Sequence, residues 1–216
     1  MFVWRAAVLA TCLVLSAITW APMGVYRDDA VGEPGHRLSG AHIVRLADAA
    51  QAEATGGLIA LYPRAVDAQT LAIPGGEPPE NLHLSLVDFG KDVGDSSDVE
   101  LKQRLDAIAA APTHPIEAQV FGHAVLNPDL GPSDAAVVYM VGDSTHLVSL
   151  RRQVLQFSEQ GFQLPAQHEP WVAHITASYG LSDIFLTYTG PVIFDRIGLS
   201  WRGHIDYFPL GPRSPD

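Results

Sequence analysis

Cysteine, lysine and positive charge are the scarce components of this sequence. Its 216 residues include one cysteine, Cys12, so the chain can close no disulfide on itself and build no cysteine-based zinc site. Only Lys91 and Lys102 are lysines, and 13 basic residues stand against 24 acidic ones, a net charge of −11. A protein that grips long duplex nucleic acid displaces counterions with a basic face, and this chain has no surplus to make one. Any nucleotide it handles is then small, or held at one end. No glycine-rich phosphate loop opens a helix anywhere, which removes support for Rossmann or P-loop nucleotide cofactors. The longest uncharged apolar run, Ala6 to Ala21, falls short of the roughly 20 residues a spanning helix needs.

That run makes residues 1–22 a hydrophobic leader with three readings: signal peptide, membrane anchor through residues 1–21, or an artefact of a start that belongs at Met23. The protein is exported or anchored if the leader is real, and cytoplasmic otherwise. Thr11 before Cys12 and the short stretch ahead of it argue against lipidation. Residues 23–55 read as a linker with one short helix through Ile43, Leu46 and Ala50, 56–212 as the folded domain, and 213–216 as a tail.

What the domain contains is regular. With 47 % apolar and 17 % charged residues overall, the composition is globular. Strands are predicted at 58–62, 82–90, 116–126, 136–141, 172–180, 191–200 and 203–208, and short helices or longer ones at 65–72, from Ser97 to Pro112, and at 145–160. Ser97 with Glu100 has the spacing of a capping box, and Leu147, Leu150, Val154 and Phe157 mark the inner face of the last helix. Several strands follow one another through short turns, so the class is α+β and not a doubly wound parallel sheet.

Two segments are built alike. His83-Leu84-Ser85-Leu86 leads to Phe89-Gly90, and His174-Ile175-Thr176-Ala177 leads to Tyr179-Gly180, with one residue of difference in offset. Each follows a strand and a helix, the mark of an internal duplication. Residues two apart in a strand share a face, so His83 projects with Ser85 and His174 with Thr176. Two imidazoles and two hydroxyls suit phosphoester chemistry without a metal. A neutral imidazole takes a proton from the attacking oxygen, an imidazolium gives one to the leaving oxygen, and hydroxyls hold the phosphate oxygens.

On these residues the chain resembles the two-histidine (2H) phosphoesterase superfamily, in its 2′-5′ RNA ligase-like, RNA 2′,3′-cyclic phosphodiesterase-like branch. The resemblance runs from about Gly57 to Leu210, taking in GGEPPENLHLSL and GLSWRGHIDYFPL. It implies a bilobal, pseudo-twofold fold: two antiparallel sheets forming a central cleft, with helices outside. It also implies His83 as proton donor, His174 as proton acceptor, and Ser85 and Thr176 as phosphate binders. Ala173 stands where relatives carry proline, which affects backbone stiffness and not the chemistry.

The expected activity is therefore metal-independent hydrolysis of a small or terminal nucleotide phosphoester, a 2′,3′-cyclic phosphate or a 2′-5′ linkage. No cofactor is expected; the partner is a nucleotide or RNA terminus, and the chain is expected to act as a monomer. The alternatives are degradation of cyclic oligonucleotide signals and a non-catalytic nucleotide-binding module. Phe89, Tyr179 and Trp201 are candidates to stack a base, although aromatic core packing competes with that reading. Arg151, Arg152 and Arg202 read as phosphate clamps or as a solvated charged face. His36, His42, His114, His123, His146, His168 and His204 read as ordinary surface or core histidines, and no metal site is expected.

Overall fold

The computed structural model describes residues 55–111, 114–128, 135–142, 144–168, 170–180 and 184–211. The expected leader, all but the last residue of the expected linker, and the tail lie outside the described residues. Within them, no helix is long and apolar enough to cross a membrane.

The chain order is β1 (Gly57–Pro63), α1 (Ala65–Leu71), β2 (Leu84–Gly90), α2 (Val99–Ala110), β3 (Ile116–Leu126), β4 (Ala136–Gly142), α3 (Thr145–Gly161), β5 (His174–Tyr179), β6 (Gly190–Trp201) and β7 (His204–Pro209). The class is α+β, as the strand-after-strand order predicts. Every strand pairing is antiparallel.

The two expected sheets are joined into one, and β6 is the reason. The path runs β2-β1-β6-β3-β4-β5, with β7 also on β6. The first part of β6 pairs with β3 (Gly190↔Val120 to Phe194↔Ile116), and the later part pairs with β1 and β7 (Trp201↔Gly57 and Trp201↔His204). A strand of twelve residues is long enough to serve both halves. Each half is thus four strands, β2-β1-β6-β7 and β5-β4-β3-β6.

Alternation places the core. Ile59, Leu61, Leu82, Leu84, Phe194, Ile197 and Leu199 are fully buried. Asp206 alternates out of the Ile205–Tyr207 face of β7 and meets Lys102 of α2 at 2.9 Å, so α2 covers the opposite face of that strand. The β6–β7 connection is the two-residue turn Arg202-Gly203, both at positive φ (52° and 77°), the twist that suits a tight hairpin.

Two helix termini bear on the sequence reading. Ser144 caps α3 through its Oγ, which accepts the Leu147 amide at 3.3 Å, and all four predicted inner residues are buried. The capping box at Ser97 does not form. The Ser97 hydroxyl takes the Val99 amide at 3.4 Å in a local turn, α2 starts at Val99, and Glu100 pairs with Arg104 one turn on. A local hydroxyl turn and an i,i+4 ion pair have taken both partners.

Candidate active site

The duplication is close enough to be seen in the ladders. In one half β1, α1 and β2 succeed each other; in the other, β4, α3 and β5 do. β2 is bulged at Leu86, where the register passes from Val87↔Ile59 to Ser85↔Ala60. β5 is bulged at the matching residue, Ala177, between Ser178↔Val137 and Thr176↔Val138. Each hydroxyl residue therefore sits next to its own bulge, which is where a strand re-aims side chains. The extra residue before Gly90 is taken up by a second bulge at Phe89. The two glycines that end the repeats have φ of 90° and 89°, a conformation that a side chain opposes, which explains the repeated aromatic-glycine pair.

Both histidines are held the same way. His83 Nδ1 lies 2.7 Å from the carbonyl oxygen of Asn81, and His174 Nδ1 lies 2.7 Å from that of Val172. A carbonyl can only accept, so in each ring Nδ1 carries the proton and Nε2 is the atom left to exchange one. His83 stands just ahead of β2, after a 3-10 turn at Pro79–Asn81, rather than inside the predicted strand. His174 is the first residue of β5. Both rings are partly buried, as are Ser85 and Thr176.

The two ends of the sheet path meet, and each repeat covers the other's strand. β2 and β5 lie against each other. The loop before β2 donates the Glu77 amide to Ala177 O at 2.8 Å, at the bulge of β5. The loop before β5 returns the contact: Gln167 donates to Asp88 O at 2.8 Å and accepts from the Asp88 amide at 3.1 Å, and Trp171 Nε1 donates to Ser85 O at 3.3 Å. The exposed polar groups of two edge strands are met in this way, and the two His-x-Ser/Thr segments are tied together.

Other candidates fall in different places. Phe89 and Trp201 are 7 % and 4 % exposed and pack edge to face with each other and with Phe162, so they belong to the core and present no surface to a base. Tyr179 is exposed at the end of β5. Arg151 is not on a solvated face: it is 6 % exposed, with its guanidinium 5.4 Å from the centre of the Trp171 ring. Amphipathic spacing cannot distinguish that from an outward arginine, because its aromatic partner is twenty residues away. Arg152 is exposed, and Arg202 in the hairpin turn reaches Asp95 at 3.4 Å. His123 bonds the Tyr188 carbonyl at 2.7 Å, and His114 packs on His146. Among the described residues, no three His, Cys, Asp or Glu side chains come together to hold a metal ion.

Sequence reasoning missed one group beside His83. The ring of Tyr62, directly across β1, is 5.8 Å from the His83 ring and meets Tyr207 edge to face at 5.1 Å. The Arg196 guanidinium lies 5.7 Å from Tyr62 and 5.3 Å from Tyr207. Burial pushes the Tyr62 hydroxyl up to about 12, with Tyr207 adding to the shift and Arg196 opposing it. Tyr62 is therefore a neutral phenol throughout the range in which imidazoles titrate. The signal was available in the alternation Ile205, Tyr207, Pro209, which puts Tyr207 on an exposed face.

Fold and site together define an α+β protein with duplicated His-x-Ser/Thr strands at the two meeting ends of one antiparallel sheet. Among solved structures, the chain is similar to TT0787 of Thermus thermophilus, at 17 % identity over 74 % of this chain and 100 % of that one, with a TM-score of 0.48. It is similar also to E. coli LigT complexed with 3′-AMP, at 16 % identity over 72 % of this chain and 95 % of that one (TM-score 0.43). The E. coli LigT structure complexed with NADP+ gives 17 % identity, the same coverage and a TM-score of 0.44. No protein-family model and no curated protein matches the chain.

Proposed function

We propose that this protein is a metal-independent phosphodiesterase that hydrolyses a small or terminal nucleotide phosphoester, a 2′,3′-cyclic phosphate or a 2′-5′ linkage. The observation that carries the reading is the matched anchoring of His83 and His174, each through Nδ1 to the carbonyl two residues earlier. A binding module needs hydrogen bonds to phosphate; it has no need of two imidazoles fixed in one tautomer. Acid–base catalysis needs both.

The roles follow from the chemistry. Neutral His174 accepts through Nε2 the proton of the water that attacks phosphorus. His83, protonated at both nitrogens, gives its Nε2 proton to the departing ribose oxygen as the P–O bond breaks. Ser85 and Thr176 donate to the non-bridging oxygens, where charge gathers. The water's oxygen ends on phosphorus, one proton ends on His174 and one on the freed hydroxyl, so a proton passes from His174 back to His83 through solvent before the next turnover.

The test is incubation of the protein with 2′,3′-cyclic AMP, with RNA ending in a cyclic phosphate, with a 2′-5′-linked dinucleotide and with cyclic dinucleotides, all in EDTA. Hydrolysis of the first three is expected to survive the chelator. His83→Ala and His174→Ala should each lower turnover by ~10²–10⁴ with melting temperature unchanged. Full activity in either variant, or activity lost to EDTA and restored by zinc or manganese, overturns the reading. Hydrolysis confined to cyclic dinucleotides would move the substrate to the signalling class.

A further inference from the structure

We infer that the nucleoside of the substrate lies on the His83 half of the site, its base stacked on Tyr207 beside Arg196. The inference takes its phosphate position from the phosphodiesterase reading above.

The two halves are alike in backbone and unlike in what they offer. Beside His174, the matching ladder positions carry Met140 and, across from it on β3, Gly122. Beside His83, one residue beyond the last pair Leu61↔Leu84, the ring of Tyr62 stands in contact with it, and across from Tyr62 on β6 is Arg196. At these two positions the His174 half is small and apolar, with the exposed Phe121 at the neighbouring bulge, whereas the His83 half has a phenol ring and a guanidinium, with the Tyr207 ring against both. A phosphodiester is held at its centre by groups of both halves, so the asymmetric part of the molecule goes where the unlike groups are.

The group is built and not incidental. The β1–β6 register skips Asp195, a bulge that turns Asp195 and Arg196 to one side, where they pair at 2.7 Å. Gly198 leaves room for the Tyr62 ring, since a Cβ there would meet Tyr62 Cε2. Tyr62 is buried, so it serves as backing for its neighbours. Tyr207 keeps 45 % of its surface exposed, on the face of β7 away from α2. From His83 to Tyr207 is two ring contacts, the scale of a ribose between phosphate and base.

The chemistry favours a base over a second phosphate. The Asp195 carboxylate beside Arg196 cancels the charge that a phosphate would need, while the pair offers both a donor and an acceptor to a heterocycle's edge. Aromatic side chains with arginine beside them are a general means of stacking unpaired bases.

The test is calorimetric binding of adenosine 3′-monophosphate against ribose 3-phosphate, with wild type, Tyr207→Phe and Tyr207→Ala. Wild type and Tyr207→Phe should bind the nucleotide about 10-fold more tightly than the ribose phosphate. Tyr207→Ala should lose that gain and keep its ribose phosphate affinity. Equal affinities in wild type, a gain that persists in Tyr207→Ala, or failure to bind either ligand overturns the inference. A gain that depends on Tyr207 in a protein that hydrolyses no phosphodiester leaves the subsite standing and removes the catalytic reading instead.

Discussion

Replacing Gly198 by alanine should disturb the site from behind, without touching any group proposed to meet substrate. A Cβ on Gly198 would run into Tyr62 Cε2 and lie 3.1 Å from Cδ2. Carbon atoms rest at about 3.5 Å or more, so the ring must withdraw by roughly 1 Å. It has little room, being 4 % exposed and in contact with Tyr207, Arg196 and His83. Overpacking of this kind typically costs about 1–3 kcal/mol. For a folded domain of this size that is a fall of several degrees, roughly 2–4 °C per kcal/mol. Chemical denaturation of wild type, Gly198→Ala, Tyr62→Ala and the double variant would measure it. In the double variant the clash is gone, so the alanine's cost should drop by at least about 1 kcal/mol relative to its cost beside an intact Tyr62. An equal cost in both backgrounds would refute the argument, as would a Gly198→Ala protein of wild-type stability.

Three further outcomes are expected. Turnover should pass through a maximum with pH, falling in acid as the proton acceptor becomes charged and in base as the donor loses its proton; a rate rising steadily to pH 10 would contradict the pair, and Tyr62, raised to about 12, takes no part in either limb. Trp171→Phe keeps the ring over which Arg151 lies but removes the bond to Ser85 O, so turnover should fall with KM little changed; a lower melting temperature with wild-type turnover would make Trp171 merely structural. Hydrogen bonding from Lys102 holds the Asp206 carboxyl below its usual value, and Asp98 and Asp206 hold Lys102 above its own. The Asp206 contribution is present above the ordinary carboxylate range and lost as pH falls through its lowered value, so Lys102→Met should cost under about 1 kcal/mol at neutral pH and nothing in strong acid, as followed by urea unfolding.

Periodicity made most of the fold legible. The strand at 116–126 follows from alternation, the one predicted at 136–141 from an unbroken apolar run, and the inner face of α3 from helical spacing that tertiary contacts did not override. The paired His-x-Ser/Thr segments were legible because duplication repeats a pattern that chance would scatter. Three things were not. The matched bulges at Leu86 and Ala177 leave no trace in composition, because a bulge is a property of two strands in register. Arg151 reads as a surface cation until Trp171 is known to lie above it. The Arg196–Tyr62–Tyr207 group joins three strands from both ends of the domain, and no window of sequence contains it. The capping box failed for a more local reason, a serine and a glutamate each finding a nearer partner.

Because β6 runs unbroken through both halves, the sheet has no seam, among the described residues, along which those halves could part. Two lobes joined by a flexible linker could open like a jaw to admit a substrate. Here such a movement would bend one strand and break the ladders to β1 and β3 on either side of Phe194. The same continuity bears on how the chain can be divided. A cut between β3 and β4 would leave β1, β2 and β3 in one fragment and β6, the strand that lies between β1 and β3, in the other. Neither piece then holds a finished sheet, and the two should regain structure only when mixed.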